Sequence, residues 1–522
     1  MPRLRGAARS LGANLPSPDG SEYITMLGLF KRKQKARPLD GDWDMSAPVL
    51  PLPHGESIDL LRIMAGLFIA GMTGSSKSTS SARHAARALV RLGCGGLILT
   101  VKNELATWRK LCEEERRLDD LVVFNPQNDW RFDPIAFEAE RKGAGSAQVE
   151  NVVHLLSRLV EFTSRDRNGG GRESEPYWRN ACLRLLRAGS GALILARGTV
   201  NALDLYRLVI SAPQSLDGRS EQWQATSFCF RVLSEAEGRV FNASQKADLE
   251  MIADYWLVEF PALSEKTRSV IVSQFTATCD CLLHGTMRDL FCNGSNITPQ
   301  AAEDGRLILV DLPLKEYGIP GLYANLLWKT AFQRSIERRS LRDSPRPVFL
   351  WADEGHFLLQ PDDCLFQSTC RSSRCASVLI TQNIANLDVA FGSGDAGRAT
   401  SESLLSNFGT LIFHCNNCQR TNTLAAELIG RERALMASGN VSHATEDQFT
   451  ALLGLEWPAR NGSASSGFSE QLQYIVEPSV FTRLRSGGPR HGWQADTIVI
   501  KSGETFRSTG TTWLPVTFRQ DL

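Results

Sequence analysis

The residues best suited to chemistry lie in the stretch from Ala70 to Thr79, which reads Ala-Gly-Met-Thr-Gly-Ser-Ser-Lys-Ser-Thr. It follows a short apolar run, Leu67 to Ala70, and precedes a segment from Lys77 to Leu92 with helical character that Gly93 and Gly95-Gly96 stop. Strand, tight loop and helix in that order make a phosphate site, because loop N–H groups converge on the anion and the helix N-terminus adds positive potential. Gly71, Thr73, Gly74, Ser75 and Ser76 form the loop, and Lys77 carries the ammonium for the outer phosphates. Ser78 is the expected hydroxyl ligand of Mg²⁺, with Thr79 as the alternative. The consensus G-x-x-x-x-G-K-[ST] has glycine where this chain has Ser76. The competing reading, a flexible Gly/Ser turn, does not account for the flanking strand and helix.

A phosphate loop needs a metal-holding acid and a group that polarises water. The apolar run Pro347 to Ala352 ends in Asp353-Glu354. The first acid suits magnesium through its water shell, and the second suits the attacking water. Asp311 also ends an apolar run and competes for the metal, but it lacks an adjacent glutamate. Ala376 to Gln382 reads as a strand ending in a polar amide, so Gln382 would contact the γ-phosphate or the water if this strand neighbours the Asp-Glu strand. Between the two lies a stretch read as helical that contains Arg371 and Arg374. Either is solvated or projects into the nucleotide of a neighbouring subunit. Cys415 and Cys418 form a CxxC beside His414, but there is no second CxxC to complete a structural zinc site.

Positioning these groups requires a sheet. Leu67 to Ala70, Gly96 to Val101, Leu121 to Phe124, Arg306 to Leu312, Val348 to Ala352 and Ala376 to Thr381 are apolar runs separated by helical patterns. That predicts an α/β fold with a parallel sheet covered by helices on both faces. From about residue 145 to 299 apolar residues recur at helical spacing and strand-like runs become rare, which predicts an inserted, mostly helical domain. The expected organisation is a basic, poorly ordered segment over 1–57, a motor domain over 58–144 and 300–522, and the helical insert over 145–299. Arg165 to Glu173, with three consecutive glycines, reads as a loop, and Asn461 to Gly467 as a Gly/Ser-rich linker. Thr497 to Ile500 and Trp513 to Val516 read as edge strands returning to the sheet.

With 522 residues and 42% hydrophobic residues the chain can bury a large core. Its net charge of +1 conceals an asymmetry, since residues 1–37 hold eight Lys/Arg against Asp19 and Glu22. Nucleic-acid binding by the body would therefore need local basic patches. The step Tyr23 to Phe30 followed by five cations in Lys31 to Arg37 suits an anionic membrane surface or nucleic-acid phosphate, and equally a solvated tail. Twelve cysteines without a framework read as reduced thiols of a cytosolic protein. No apolar run approaches the roughly 18 residues of a membrane span.

The ordered set of the phosphate loop at 71–78, Val101-Lys102-Asn103-Glu104-Leu105, Phe132-Asp133-Pro134, Tyr177-Trp178, Asp353-Glu354-Gly355, Arg371 with Arg374, and Thr381-Gln382-Asn383 resembles the coupling-protein ATPases of conjugation and type IV secretion. These form the TraG/TraD-like branch of the HerA/FtsK superfamily. The resemblance spans roughly residues 60 to 520. It implies a RecA-like P-loop NTPase core with an all-helical domain, a cytoplasmic homo-hexamer, ATP and Mg²⁺ as cofactors, and ATP-driven movement of DNA or nucleoprotein towards relaxosome and secretion-channel partners. It also implies phosphate and metal roles for Lys77 and Ser78, the magnesium and water-activating roles for Asp353 and Glu354, a sensor at Gln382 and an arginine finger at Arg371. Three features differ from the family pattern: Ser76 replaces glycine, Thr100 stands where an aspartate is expected before Lys102, and no apolar hairpin precedes the core. Two further readings stay open, a soluble HerA/FtsK-like DNA translocase outside secretion and a nucleotide-binding recruitment module with little hydrolysis.

Overall fold

The computed structural model of the protein describes residues 43–143, 149–165, 175–442 and 463–520. The basic tail at 23–37, the glycine-rich stretch at 166–173 and residues 461–462 lie outside them. The first described elements are a small antiparallel pair, β1 (Pro48–Pro51) and β2 (Ser57–Asp59). Val49, Leu50 and Leu52 are buried in it, so the part of the amino-terminal segment from 48 to 57 is packed on the core rather than poorly ordered. Proline is compatible with this placement because the pair is a separate two-stranded edge.

The central sheet has nine strands. In chain order they are β3 (Leu67–Ala70), β4 (Gly95–Leu99), β5 (Leu121–Phe124), β6 (Leu307–Val310), β7 (Val348–Ala352), β8 (Cys375–Thr381) and β9 (Thr410–Phe413), followed later by β12 (Gln494–Lys501) and β13 (Trp513–Arg519). The spatial order is β13-β12-β9-β3-β8-β7-β4-β6-β5. From β9 to β5 every pairing is parallel, while β12 joins β9 antiparallel and β13 closes the edge against β12. The two expected edge strands therefore extend one side of the sheet. The run β9-β3-β8-β7-β4 puts one strand between the phosphate-loop strand and the Asp-Glu strand, the arrangement of a RecA-like core.

Alternation along the strands divides two apolar layers. Leu67, Ile69, Ile98, Trp351, Val378 and Ile380 pack with Ala85, Leu89 and Trp108 from helices Ser81–Arg91 and Leu105–Glu114. Phe68, Leu97, Leu99, Leu350 and Leu379 face the other way, towards Tyr323, Trp328 and Phe332 of helix Ile319–Arg338. This period-two pattern, apolar on both faces, is what a sheet buried between helices requires. Between β5 and β6 the described residues from Val149 to Phe291 hold only helices, among them Val149–Arg165, Glu175–Arg197 and Glu265–Leu283. None of the described helices is long and apolar enough to cross a membrane.

One ion pair is locked inside this packing. Lys329, in helix Ile319–Arg338, reaches the Asp363 carboxylate at 2.6 Å, and Gln333 Nε2 donates to its other oxygen at 2.8 Å. Both charged groups are buried. Asp363→Ala is expected to cost about 3–5 kcal/mol, because it strands the Lys329 ammonium without its counter-charge. Urea unfolding tests this, and a loss under about 1 kcal/mol would mean that water reaches the lysine.

A second ribbon lies apart from the sheet. β10 (Arg431–Ser442) and β11 (Ser463–Tyr474) pair antiparallel through twelve residues. Residues 463–467, expected as linker, belong to β11. Small residues tolerate the extended conformation when the partner strand supplies the ladder, so composition misled here. At the ribbon's root the Arg431 guanidinium lies 4.4 Å from the Tyr474 ring centroid and donates to its hydroxyl at 2.8 Å.

Candidate functional site

Three loops meet at the carboxyl ends of β3, β7 and β8. The first follows β3, where the Gly71 N–H donates to the Thr381 carbonyl at the end of β8 and Met72 N–H to the Cys415 carbonyl beyond β9. Gly71 is needed for close approach, since a Cβ there would stand 2.4 Å from Ser75 Oγ and 2.6 Å from His414 Cβ. Gly74 has φ +81°. Ser75 is buried, and its hydroxyl has no hydrogen-bond partner among the described residues. Thr73, Gly74 and Thr79 are exposed. The regular helix begins at Ser81 rather than Lys77, and residues 77–80 form turns in which Ser80 Oγ donates to the Ser76 carbonyl at 2.7 Å.

Ser76, which stands at the consensus glycine, has φ +62°. That left-handed conformation explains why glycine suits the position, since a Cβ there costs about 1–2 kcal/mol. The hydroxyl offsets part of this cost by donating to the Ser486 carbonyl at 2.6 Å. Gln520 adds a second tie, donating to Thr79 Oγ1 at 2.8 Å while accepting from the Gly488 N–H at 2.5 Å. The segment around 486–488 and the end of β13 thus hold the outer side of the loop. We expect Ser76→Ala to weaken phosphate-ligand binding roughly tenfold and Ser76→Gly to leave it nearly unchanged, because only glycine relieves the φ strain as the tether is lost. Calorimetric titration distinguishes the two; equal affinities would show that the conformation there is not strained.

The second loop follows β7. Asp353 Oδ2 accepts from Ser78 Oγ at 2.9 Å and lies 3.1 Å from the Lys102 ammonium. Burial acts to raise its pKa, but Lys102 and Lys77 together outweigh that and hold the carboxyl below its ordinary value, so it is ionised. Glu104 lies beside it, 3.9 Å from Lys102, and burial followed by the charge of Asp353 pushes its carboxyl well above the usual range. Thr100, where the family pattern has an acid, serves packing: its hydroxyl donates to the Val310 carbonyl at 2.5 Å and its N–H to Asn325 at 2.9 Å.

Glu354 has φ +52° and puts Oε1 3.3 Å from the Lys77 ammonium. Its Oε2 is buried and accepts no hydrogen bond from any described residue. His356 Nδ1 is 3.8 Å from that oxygen and 3.1 Å from Thr381 Oγ1. Gln382, the residue directly after β8, is half-buried, and its carbonyl accepts from Asn416 at 2.7 Å. His414, at the end of β9, bonds Ser81 Oγ at 2.7 Å and is fully buried, which pushes its pKa down to about 3. It is a neutral strut between β9 and the helix after the phosphate loop. Cys415 Sγ contacts the Thr482 carbonyl, and among the described residues no set of three His, Cys, Asp or Glu could hold a metal. A magnesium bound by one acid, one hydroxyl and phosphate oxygens needs no such set. The hydroxyl–carboxylate pair of Ser78 and Asp353, the adjacent lysine and the unsatisfied Glu354 oxygen fit a phosphate with a hard divalent cation.

The remaining expected residues lie elsewhere. Asp311, after β6, accepts from Asn125 at 2.9 Å, and β6 is separated from β3 by three strands. Arg371 and Arg374 are not helical: helix Asp362–Thr369 ends before them and they form the turn into β8. The cause is local, since Arg374 takes φ +47° and its guanidinium donates to the Pro345 carbonyl at 2.9 Å. Arg371 is exposed. Both sit at the amino end of a seven-residue strand, roughly 20 Å from the end that carries Gln382.

No protein-family profile and no curated protein matches the sequence. Solved structures do match in fold. A structure titled as the plasmid coupling protein TrwB in complex with the ATP analogue ADPNP superposes with a TM-score of 0.57 at 14% identity, covering 98% of this chain and 96% of that one. The chain shares the TrwB fold. The TrwB structure with ADP and Mg²⁺ gives 0.56 at 14% identity over 96% and 93% of the two chains, and the unbound monoclinic form gives 0.56 at 14% over 95% and 91%. Coverage this complete extends the likeness to TrwB through the helical insert as well as the sheet.

Proposed function

We propose that this chain is a P-loop ATPase that binds ATP with Mg²⁺ and uses its hydrolysis to move DNA or nucleoprotein, as a coupling-protein-like homo-hexamer in conjugative transfer or type IV secretion. The observation that carries this reading is the meeting of Lys77, Ser78, Asp353 and Glu354 at one end of the sheet. Its support is a fold shared with TrwB over nearly the whole chain. Lys77 and the loop N–H groups of residues 71–79 hold phosphate, and Ser78 and Asp353 hold the cation, which when bound neutralises charge on the phosphate oxygens. Glu354 accepts a proton from the attacking water, Gln382 orients that water or the γ-phosphate, and Arg371 from a neighbouring copy meets the transition-state charge, with Arg374 as the second choice. The partners are DNA and relaxosome or secretion-channel proteins on the cytoplasmic side. Peripheral membrane contact through residues 23–37 belongs to the same reading and lies outside the described residues.

A second reading is favoured by Ser76: a strained phosphate loop suits a nucleotide-binding recruitment module with slow hydrolysis. Steady-state ATPase activity with and without DNA, with Lys77→Ala as control, separates the two. Turnover stimulated by DNA supports the motor. Tight nucleotide binding without turnover supports the recruitment module, and absence of binding removes both.

A further inference from the structure

Glu354 is held at present by the same cation that a phosphate would claim. Lys77 is nearly buried, with a side chain 7% exposed, and its ammonium lies 3.3 Å from Glu354 Oε1. A phosphate group drawn to that ammonium brings negative charge against the Glu354 carboxylate, and like charges in a partly desolvated site repel strongly. The carboxylate cannot simply stay. The direction open to it is marked by its other oxygen, Oε2, which is buried without a donor among the described residues. Facing that oxygen is the His356 imidazole, whose Nδ1 is 3.8 Å away, just outside hydrogen-bond reach.

We propose that Glu354 is a two-position switch, paired with Lys77 until phosphate takes the lysine and then held by the His356 Nδ1–H, which aims the carboxylate at water. This rests on the nucleotide reading of the site. His356 is a positioning residue in it. Burial lowers the imidazole pKa although Glu354 opposes this, so the ring is neutral near pH 7 and has one N–H to give. Its Nδ1 at present bonds Thr381 Oγ1 at 3.1 Å. The Thr381 hydroxyl has the Asn383 carbonyl at 3.4 Å to donate to, which assigns the proton of the Thr381–His356 bond to Nδ1, and a single Nδ1–H serves either Thr381 or Glu354 fully, so the two states exclude one another. Thr381 is the last residue of β8, its carbonyl accepts the Gly71 N–H, and Gln382 follows it. Movement of the carboxylate therefore changes a bond at the strand end that touches both the phosphate loop and the expected sensor.

The test is a cycle on affinity for the non-hydrolysable ATP analogue ADPNP with Mg²⁺, measured by calorimetry on the full chain. Glu354→Gln removes the charge that competes for Lys77 and is expected to tighten binding by about tenfold. His356→Ala leaves the displaced carboxylate without a donor and is expected to weaken binding by about three- to tenfold, with no effect in a Glu354→Ala background. In turnover the His356→Ala loss should fall mainly on kcat, and His356→Asn, whose amide N–H replaces Nδ1–H, should recover most of it. Glu354→Gln binding no tighter than wild type, or His356→Ala acting equally in both backgrounds, would overturn the switch. If wild type binds but does not hydrolyse, the affinity cycle alone decides. If wild type fails to bind while circular dichroism shows it folded, the nucleotide reading itself falls with the switch.

Discussion

Lys77→Ala is expected to leave the protein without measurable ATP binding, whereas Glu354→Gln binds ATP at least as well as wild type and loses about 10²–10⁴ in turnover. The two residues touch one another at 3.3 Å yet act at different points of the reaction. The lysine contacts phosphate oxygens already present in the ground state, so its removal is read in affinity. The glutamate matters as the water loses its proton, so its loss is read in kcat. Gln keeps the size of the side chain and its strained backbone while removing the base. Filter binding with labelled ATP and a phosphate-release assay give the two readouts. A Glu354→Gln protein that turns over at the wild-type rate would move the water-activating role elsewhere, and Asp353 with its neighbour Glu104 would be next to test.

Arg371→Ala is expected to bind ATP normally and to lose about 10³–10⁵ in rate, the range for an arginine finger supplied from a neighbouring copy. Within one chain Asp353 meets Ser78 and Lys102, and Glu354 meets Lys77 and faces His356, while Arg371 lies exposed at the opposite end of β8. An exposed arginine acting only on its own chain would change activity little. Arg374 is the weaker choice because its guanidinium already bonds the Pro345 carbonyl. Mixing Arg371→Ala with Lys77→Ala subunits sharpens the test. Each is inactive alone, but a mixed ring contains interfaces that pair an intact phosphate loop with an intact arginine. Recovered activity supports the finger in trans; mixed rings that form and stay inactive argue against it.

The parallel core was legible because each of its strands is an apolar run bounded by turn residues, and a strand buried on both faces needs nothing more. The Asp353–Ser78 contact was legible too, since an apolar strand ending in Asp-Glu downstream of a phosphate-loop sequence is expected to bring its first acid to that loop. What the sequence hid were contacts made across long separations. Ser76 reads as a weak substitution until Ser486, 410 residues away, is seen accepting its hydroxyl. His356 stands two residues after Glu354, and an Asp-Glu-x-His spacing was the signal available, but the partner Thr381 lies on another strand. The ribbon of β10 and β11 escaped because serine, glycine and alanine carry no alternation to read.

That ribbon has a mechanical consequence. Twelve residues per strand span roughly 40 Å, and among the described residues no third strand joins the pair to stiffen it. At its root the two strands are tied by the Arg431–Tyr474 clamp. Directly before the clamp runs helix Gln419–Ile429, whose amino end follows His414, the strut that bonds Ser81 beside the phosphate loop. Between the ribbon's root and the part of the chain that would grip phosphate there stand only one helix and one imidazole.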